Sequence, residues 1–267
     1  MLSQFDYQIR FPEKSNDIRN QEYFYVVQNG HESRYNLQHY KEVFAVPGLY
    51  NAVTSKLRYQ SPETIAMQLV TQLIKYKAAI DSLVVLDIAA GTGLIGKHLT
   101  SLGVKSIVGV DIIEEAAQAT QRDHPGAYEK YYVEDLTNIS FAAQKELTDR
   151  GFNCLVCCSS LSCHFPIQGF INAFNLIKNG GWIAFNVNTY ILEDTDSPDS
   201  FEYQKAAEFG QLYHHMVKTG ILEITNKHYY LHRLLTNGKA LDYVSVTARK
   251  RSNISEGIVN LADRFRN

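Results

Sequence analysis

The sequence lacks any stretch approaching the ~20 apolar residues that a membrane-spanning helix needs. Met1–Asn20 is too polar and charged to read as a secretory signal. Neither sign of charge dominates: 26 Lys and Arg stand against 28 Asp and Glu, a net charge of −2. That balance gives no electrostatic reason to expect a nucleic acid or a membrane surface as partner. The densest basic run, Arg249-Lys250-Arg251, is expected to be a solvated strand end. Internal repeats and low-complexity tracts are also missing. The 4 cysteines are confined to Cys154–Cys163. Their spacing invites a zinc reading, but 152–159 reads as a buried strand, on which Cys157 and Cys158 point to opposite faces. No metal site is expected. Clustered free thiols fit a reducing compartment, and the cytoplasm is the expected location.

What is present alternates. Apolar strands at 84–88, 106–110, near 131–134, 152–159 and 182–187 are separated by helical periodicities at 93–102, 113–122 and 166–178. Such alternation predicts an α/β fold, a Rossmann-like parallel sheet with helices on both faces. Ahead of it, Ser61-Pro62-Glu63 reads as a helix start with Ser61 as N-cap. Behind it, a helix opened by Ser197-Pro198 precedes two strands, 223–235 and 240–250, joined by Asn237-Gly238 as a hairpin. Asn29-Gly30 gives a second hairpin signal within 23–35, and 37–59 is aromatic-rich, predicting one or two short helices. The expected division is an N-terminal extension or lid, 1–60, and a larger domain, 61–267.

The run Val84-Val85-Leu86-Asp87-Ile88-Ala89-Ala90-Gly91-Thr92-Gly93 carries the chemistry. It is the strand, small-residue turn and helix start of a nucleotide-binding unit, where absent Cβ atoms let a ligand approach the backbone. Gly91-x-Gly93-x-x-Gly96 formally matches a dinucleotide fingerprint. A carboxylate at Asp87 would repel a pyrophosphate and suits a ligand with a cationic amine. Asp111 ends the next strand, 24 residues on, where an acid holds ribose hydroxyls.

These residues resemble the class I S-adenosylmethionine-dependent methyltransferases, whose first motif reads acidic-x-Gly-x-Gly-x-Gly, with Ala89 in place of the first glycine. The resemblance covers about 61–250 and implies a terminal antiparallel pair with the last strand inserted in the sheet. It implies S-adenosylmethionine as cofactor, S-adenosylhomocysteine as product, and a cofactor site at Asp87, Ala89, Gly91, Thr92, Gly93, Asp111, Ile112, Asp135, Leu136 and Ser159. Asp135 takes the place of the acid that accepts from the adenine amino group. Lys178-Asn179-Gly180-Gly181 resembles the family's turn before its fifth strand. Around Tyr40 and Tyr50 the sequence is similar to the lid of small-molecule members, such as those of ubiquinone and natural-product pathways. The Asn-Pro-Pro-Tyr type of signature is absent after Ser159.

The function this implies is methyl transfer to an oxygen, nitrogen or carbon nucleophile of a small molecule. His164, following the fourth strand of the core, is the expected general base; His214 and His215 are weaker candidates. Three alternatives stand beside it: a cyclase- or pericyclase-like protein that binds S-adenosylmethionine without transferring methyl, an NAD-dependent oxidoreductase, and a methyltransferase-like scaffold subunit.

Overall fold

The computed structural model describes residues 7–13, 21–162, 165–193 and 200–255. An antiparallel three-stranded sheet comes first: β1 (Gln8–Arg10), β2 (Tyr23–Gln28) and β3 (His31–Asn36). Asn29 (φ 51°) and Gly30 (φ 77°) turn β2 into β3, as a left-handed two-residue hairpin turn requires. The helices α1 (Tyr40–Ala45) and α2 (Leu49–Lys56) follow. With this sheet they bury Phe24, Val26, Val43, Leu49 and Val53 in a small core of their own. β1 falls in a stretch where no element was expected.

The larger body starts with α3 (Ser61–Lys75). It alternates through β4 (Val84–Ile88), α4 (Leu94–Ser101), β5 (Ser106–Asp111), α5 (Glu114–Asp123), β6 (Lys130–Val133) and α6 (Phe141–Asp149). Next come β7 (Cys154–Cys157), α7 (Ile167–Leu176), β8 (Trp182–Asn188) and the short α8 (Thr189–Glu193). The chain closes with α9 (Ser200–Lys218), β9 (Leu222–Leu234) and β10 (Ala240–Lys250). The seven strands lie in the order β6-β5-β4-β7-β8-β10-β9. From β6 to β8 they run parallel, and β10 is antiparallel to both its neighbours. The last strand is inserted between β8 and β9, as expected.

Strand alternation sorts side chains to two faces. Val85, Cys154, Val156 and Ala184 meet Ile65, Leu69 and Leu73 of α3 and Ile95 and Leu99 of α4. Leu86, Leu155, Cys157, Ile183 and Phe185 meet Phe170 and Phe174 of α7 and Phe209, Leu212 and Met216 of α9. Among the described residues no group of His, Cys, Asp and Glu is arranged to hold a metal ion, and no helix is long and apolar enough to cross a membrane.

Two anchors join the parts. Glu22 forms a buried bidentate ion pair with Arg233 of β9 and also accepts from the Thr236 N–H. On the other side, Arg122 donates to the Phe44 carbonyl at 2.9 Å, and Asp123 accepts from the Gly48 N–H at 3.3 Å. The first two helices are thereby docked on α5.

The start of α3 differs from expectation. Gln60 is the N-cap and Ser61 the first helical residue, with no side-chain cap bond. The Ser61 hydroxyl is instead buried and lies 2.6 Å from His232 Nδ1. Tertiary contacts, not local capping, account for a serine there. Ser197 and Pro198, the expected start of the last long helix, lie outside the described residues.

Candidate cofactor and substrate site

The C-terminal ends of β4, β5, β6 and β7 surround one cavity of about 270 Å³, near the lower end of the ~300–1,000 Å³ usual for ligand pockets. Open parallel sheets bind ligands at this edge. The turn after β4 contributes Ala89, Gly91 and Thr92; β5 contributes Asp111 and Ile112; the segment after β6 contributes Asp135 and Leu136; Ser159 follows β7. Tyr40, Phe44 and Tyr50 of α1 and α2 cover the opposite side, stacked edge and face on one another.

Asp111 is the organising group. Its Oδ2 accepts from the Gly91 N–H at 2.9 Å and its Oδ1 from the Ile113 N–H at 3.0 Å. The acid therefore fixes the glycine turn and still has lone pairs facing the cavity. Burial raises its pKa, and these backbone bonds oppose the rise. The Gly91 carbonyl accepts from Thr120 Oγ1 at 3.0 Å and from the Tyr131 hydroxyl at 2.8 Å, so both sides of the turn are held. Ile112, directly after Asp111, leaves 63 % of its surface exposed at the cavity. Thr92 Oγ1 is buried with no hydrogen-bond partner among the described residues. A buried donor without a partner calls for an explanation, and Thr92 lines the cavity. Asp135 sits at the rim; hydrogen bonds from the Thr137 hydroxyl and N–H hold its pKa below the usual carboxylate range.

Asp87 and Gly93 do not line the cavity. Asp87 is fully buried, its Oδ2 accepts from the Tyr128 hydroxyl at 2.6 Å, and its Oδ1 has no partner among the described residues. Burial pushes its pKa up to about 8. The expectation that Asp87 faces a cationic ligand is corrected by its position: it lies behind the turn, enclosed against Tyr128 and away from the cavity wall. Its place is explained by Gly96, where a Cβ would come within 2.7 Å of the Tyr128 ring. Gly96 thus admits the tyrosine that reaches Asp87. Gly93 (φ 86°) caps α4 in a left-handed conformation.

The sign of the Asp87 effect on stability follows from linkage. The folded chain binds this proton more tightly than the unfolded one, whose carboxyl titrates near 3.8. The contribution is complete at acid pH and is lost as pH rises towards 8. Denaturation midpoints of Asp87→Asn are expected to show a flatter decline than wild type between about pH 5 and pH 8. Parallel declines would contradict this placement.

Ala89 (φ 51°) and Ser159 (φ 63°) are non-glycine residues in the left-handed region, and both line the cavity. Strain of this kind collects at functional sites. The left-handed conformation costs an alanine about 1–2 kcal/mol, partly offset by the freedom glycine loses on folding. Ala89→Gly is expected to stabilise the protein by up to about 1 kcal/mol with nucleoside affinity unchanged, as read by urea denaturation and calorimetry. A destabilised variant would contradict that strain.

His164 lies outside the described residues. His214 and His215 sit on α9 and do not reach the cavity. Cys154 and Cys157 are buried in β7, while Cys158 lines the cavity with its thiol pKa pushed up by burial to about 12. Phe44, Tyr59, His232 and Arg233 also line it. Phe44 closes the aromatic lid run that begins at Tyr40; reading the sequence singled out none of the other three. Sheet topology delivers His232 and Arg233, because β9 lies beyond the inserted strand and its end pairs with residues 57–60 through Leu234 N–H to Leu57 O and Gln60 N–H to His232 O.

Residues 85–181 match the family model described as a methyltransferase domain. That segment is similar to a methyltransferase domain. No curated protein matches the chain. Among solved structures, a candidate RNA methyltransferase of Pyrococcus horikoshii is similar at 15% identity, with 73% of this chain and 88% of that chain covered and a TM-score of 0.49. Magnesium protoporphyrin IX methyltransferase of Synechocystis, with bound S-adenosylmethionine, is similar at 14% identity, with coverage of 71% and 79% and a TM-score of 0.45. An S-adenosylmethionine-dependent methyltransferase of Clostridium acetobutylicum is similar at 14% identity, with coverage of 70% and 91% and a TM-score of 0.45.

Proposed function

We propose that this protein transfers the methyl group of S-adenosylmethionine to a small organic molecule. The observation that carries the reading is a cavity bounded on one side by Asp111 and the glycine turn and roofed on the other by Tyr40, Phe44 and Tyr50. In this reading Asp111 takes the ribose hydroxyls, Ile112 and Leu136 face the adenine, Asp135 accepts from its amino group, and the Thr92 hydroxyl meets the polar amino acid end. S-adenosylmethionine supplies, when bound, a methyl on a sulfonium that is already an activated leaving group.

The protein's own task is alignment and exclusion of water. The aromatic roof serves both. Its three rings bury large area with few rotamers to freeze, and docking by Arg122 and Asp123 holds the roof over the turn. A roof this close also argues for a compact acceptor over a polynucleotide, in line with the near-neutral charge. Residues 1–60 act as the lid segment and 61–267 as the transfer domain.

The test is transfer of isotopic label from S-adenosylmethionine to a panel of phenols, amines, carboxylic acids and RNA transcripts. Label is expected in the low-molecular-weight fraction. Label in RNA alone would overturn the reading.

A further inference from the structure

A second cleft, of about 750 Å³, opens where residues 47–51 dock on the larger body. Asn51 of α2 stands on one side. Lys97 of α4, with Arg122, Asp123 and His124 at the end of α5, stands on the other. None of these residues lines the cofactor cavity.

The charges of the cleft do not balance. The Asp123 carboxylate accepts from Arg122 Nε at 2.7 Å, from Arg122 Nη2 at 2.8 Å and from the Gly48 N–H at 3.3 Å. Its side chain is only 7 % exposed, so acid and guanidinium neutralise each other within the wall. Lys97 is exposed and has no ion-pair partner among the described residues. The charge left over is a cation.

His124 is the second group. It is 9 % exposed, and its Nε2 lies 3.0 Å from Asn51 Nδ2. With the amide turned this way Nε2 accepts, so the ring is neutral and carries its proton on Nδ1. Burial lowers the His124 pKa and the Lys97 charge lowers it further; Asp123 opposes them, and His98 of α4 adds to them. Nδ1 is bonded by no group among the described residues and is not enclosed, which leaves a donor open to a ligand. Asn51 Oδ1, by contrast, is enclosed without a partner. That oxygen has a use in the other protonation state. When His124 gains a second proton, Nε2 becomes a donor, and a half-turn of the Asn51 amide brings Oδ1 round to accept from it.

An anion beside Lys97 and His124 favours that state. The single charge of a carboxylate is matched by Lys97 alone. A phosphate dianion matches Lys97 and the imidazolium together and accepts from both. The cleft is larger than one phosphate group needs, which leaves room for the molecule that carries it.

We propose that this cleft binds the phosphate group of a small phosphorylated molecule between Lys97 and His124, and that binding tightens the lid over the cofactor cavity. The link to the lid is the Asn51–His124 bond, which becomes charge-assisted and stronger when the ring is protonated. This second half rests on the methyl-transfer reading above; the first half does not.

The experiment is calorimetric titration of the full-length protein with glycerol 3-phosphate at about pH 7, where a phosphate ester is mostly dianionic. Inorganic phosphate and acetate are titrated beside it, each in two buffers of different ionisation heat. Saturable binding of one ester per chain is expected, with protons taken up from the buffer and no such uptake with acetate. Lys97→Ala and His124→Gln are each expected to weaken ester binding about tenfold or more, and His124→Gln to abolish the proton uptake. Lys97 is exposed, so its variant serves if His124→Gln does not fold. No binding of the ester, binding of inorganic phosphate alone, or equal ester affinity in wild type and Lys97→Ala would overturn the site. S-adenosylhomocysteine is then titrated with and without the ester at constant ionic strength. Its affinity is expected to rise about fivefold with the ester in wild type and not to respond in Asn51→Ala. Ester binding without a change in wild-type nucleoside affinity overturns the coupling to the lid. Absence of nucleoside binding in every protein defeats the methyl-transfer reading and leaves the phosphate site standing.

Discussion

Glu22→Ala is expected to destabilise the folded protein by about 3–5 kcal/mol, the usual consequence of removing one partner of a buried ion pair. Glu22 is 1 % exposed and Arg233 6 %. Without the carboxylate, the guanidinium stays enclosed and uncompensated, and the Thr236 N–H loses its acceptor. Replacing both partners by apolar residues of similar volume removes the charge along with its need, so Glu22→Leu with Arg233→Met is expected to recover most of the loss. Urea denaturation of the two single variants and the double variant forms the test. A loss below about 1 kcal/mol for Glu22→Ala would place it with surface pairs and would mean that the three-stranded sheet is not anchored through Arg233. The consequence reaches the site, since Arg233 and its neighbour His232 both line the cavity.

Asp111→Ala is expected to weaken S-adenosylmethionine binding by about 100-fold or more. Each charge-assisted bond from the carboxylate to a ribose hydroxyl contributes roughly 1.5–3 kcal/mol, and about 1.4 kcal/mol is a factor of ten in affinity. The loop adds to the effect, because the Gly91 and Ile113 N–H groups lose their acceptor and the turn loses its anchor. Asp111→Asn separates the two contributions. Its amide oxygen can still accept one loop N–H, so it is expected to fall between wild type and alanine. Equal affinity in all three proteins would remove Asp111 from the cofactor site.

Much of the scaffold was legible because it is written in local patterns. Alternation of apolar strands with helical periodicities gave β4, α4, β5, α5, β7 and α7, and the two Asn-Gly pairs marked both hairpins. The Asp111 and Gly91 placements followed from strand ends and spacing. What escaped depends on the third dimension. Helix α6 was missed: most of its face is polar, and only Ala143 and Leu147 are buried. Strand 152–159 was read too long, since β7 covers only Cys154–Cys157 before Cys158 and Ser159 turn into the site. Asp87 looked like a ligand group because a strand-end acid usually is one; a tyrosine some 40 residues away encloses it here. Ser61 looked like a cap, yet its hydroxyl serves His232, which is 171 residues distant in sequence. No periodicity announces such a pairing; the insertion of β10 into the sheet creates it.

The central claim is that the cavity at the ends of β4 and β5 holds S-adenosylmethionine. Calorimetric titration of the wild-type protein with S-adenosylmethionine, beside an identical titration with NAD, tests it most directly. The account predicts saturable binding of S-adenosylmethionine with one site per chain and no measurable heat from NAD. Preference for NAD, or silence with both nucleosides, would contradict it.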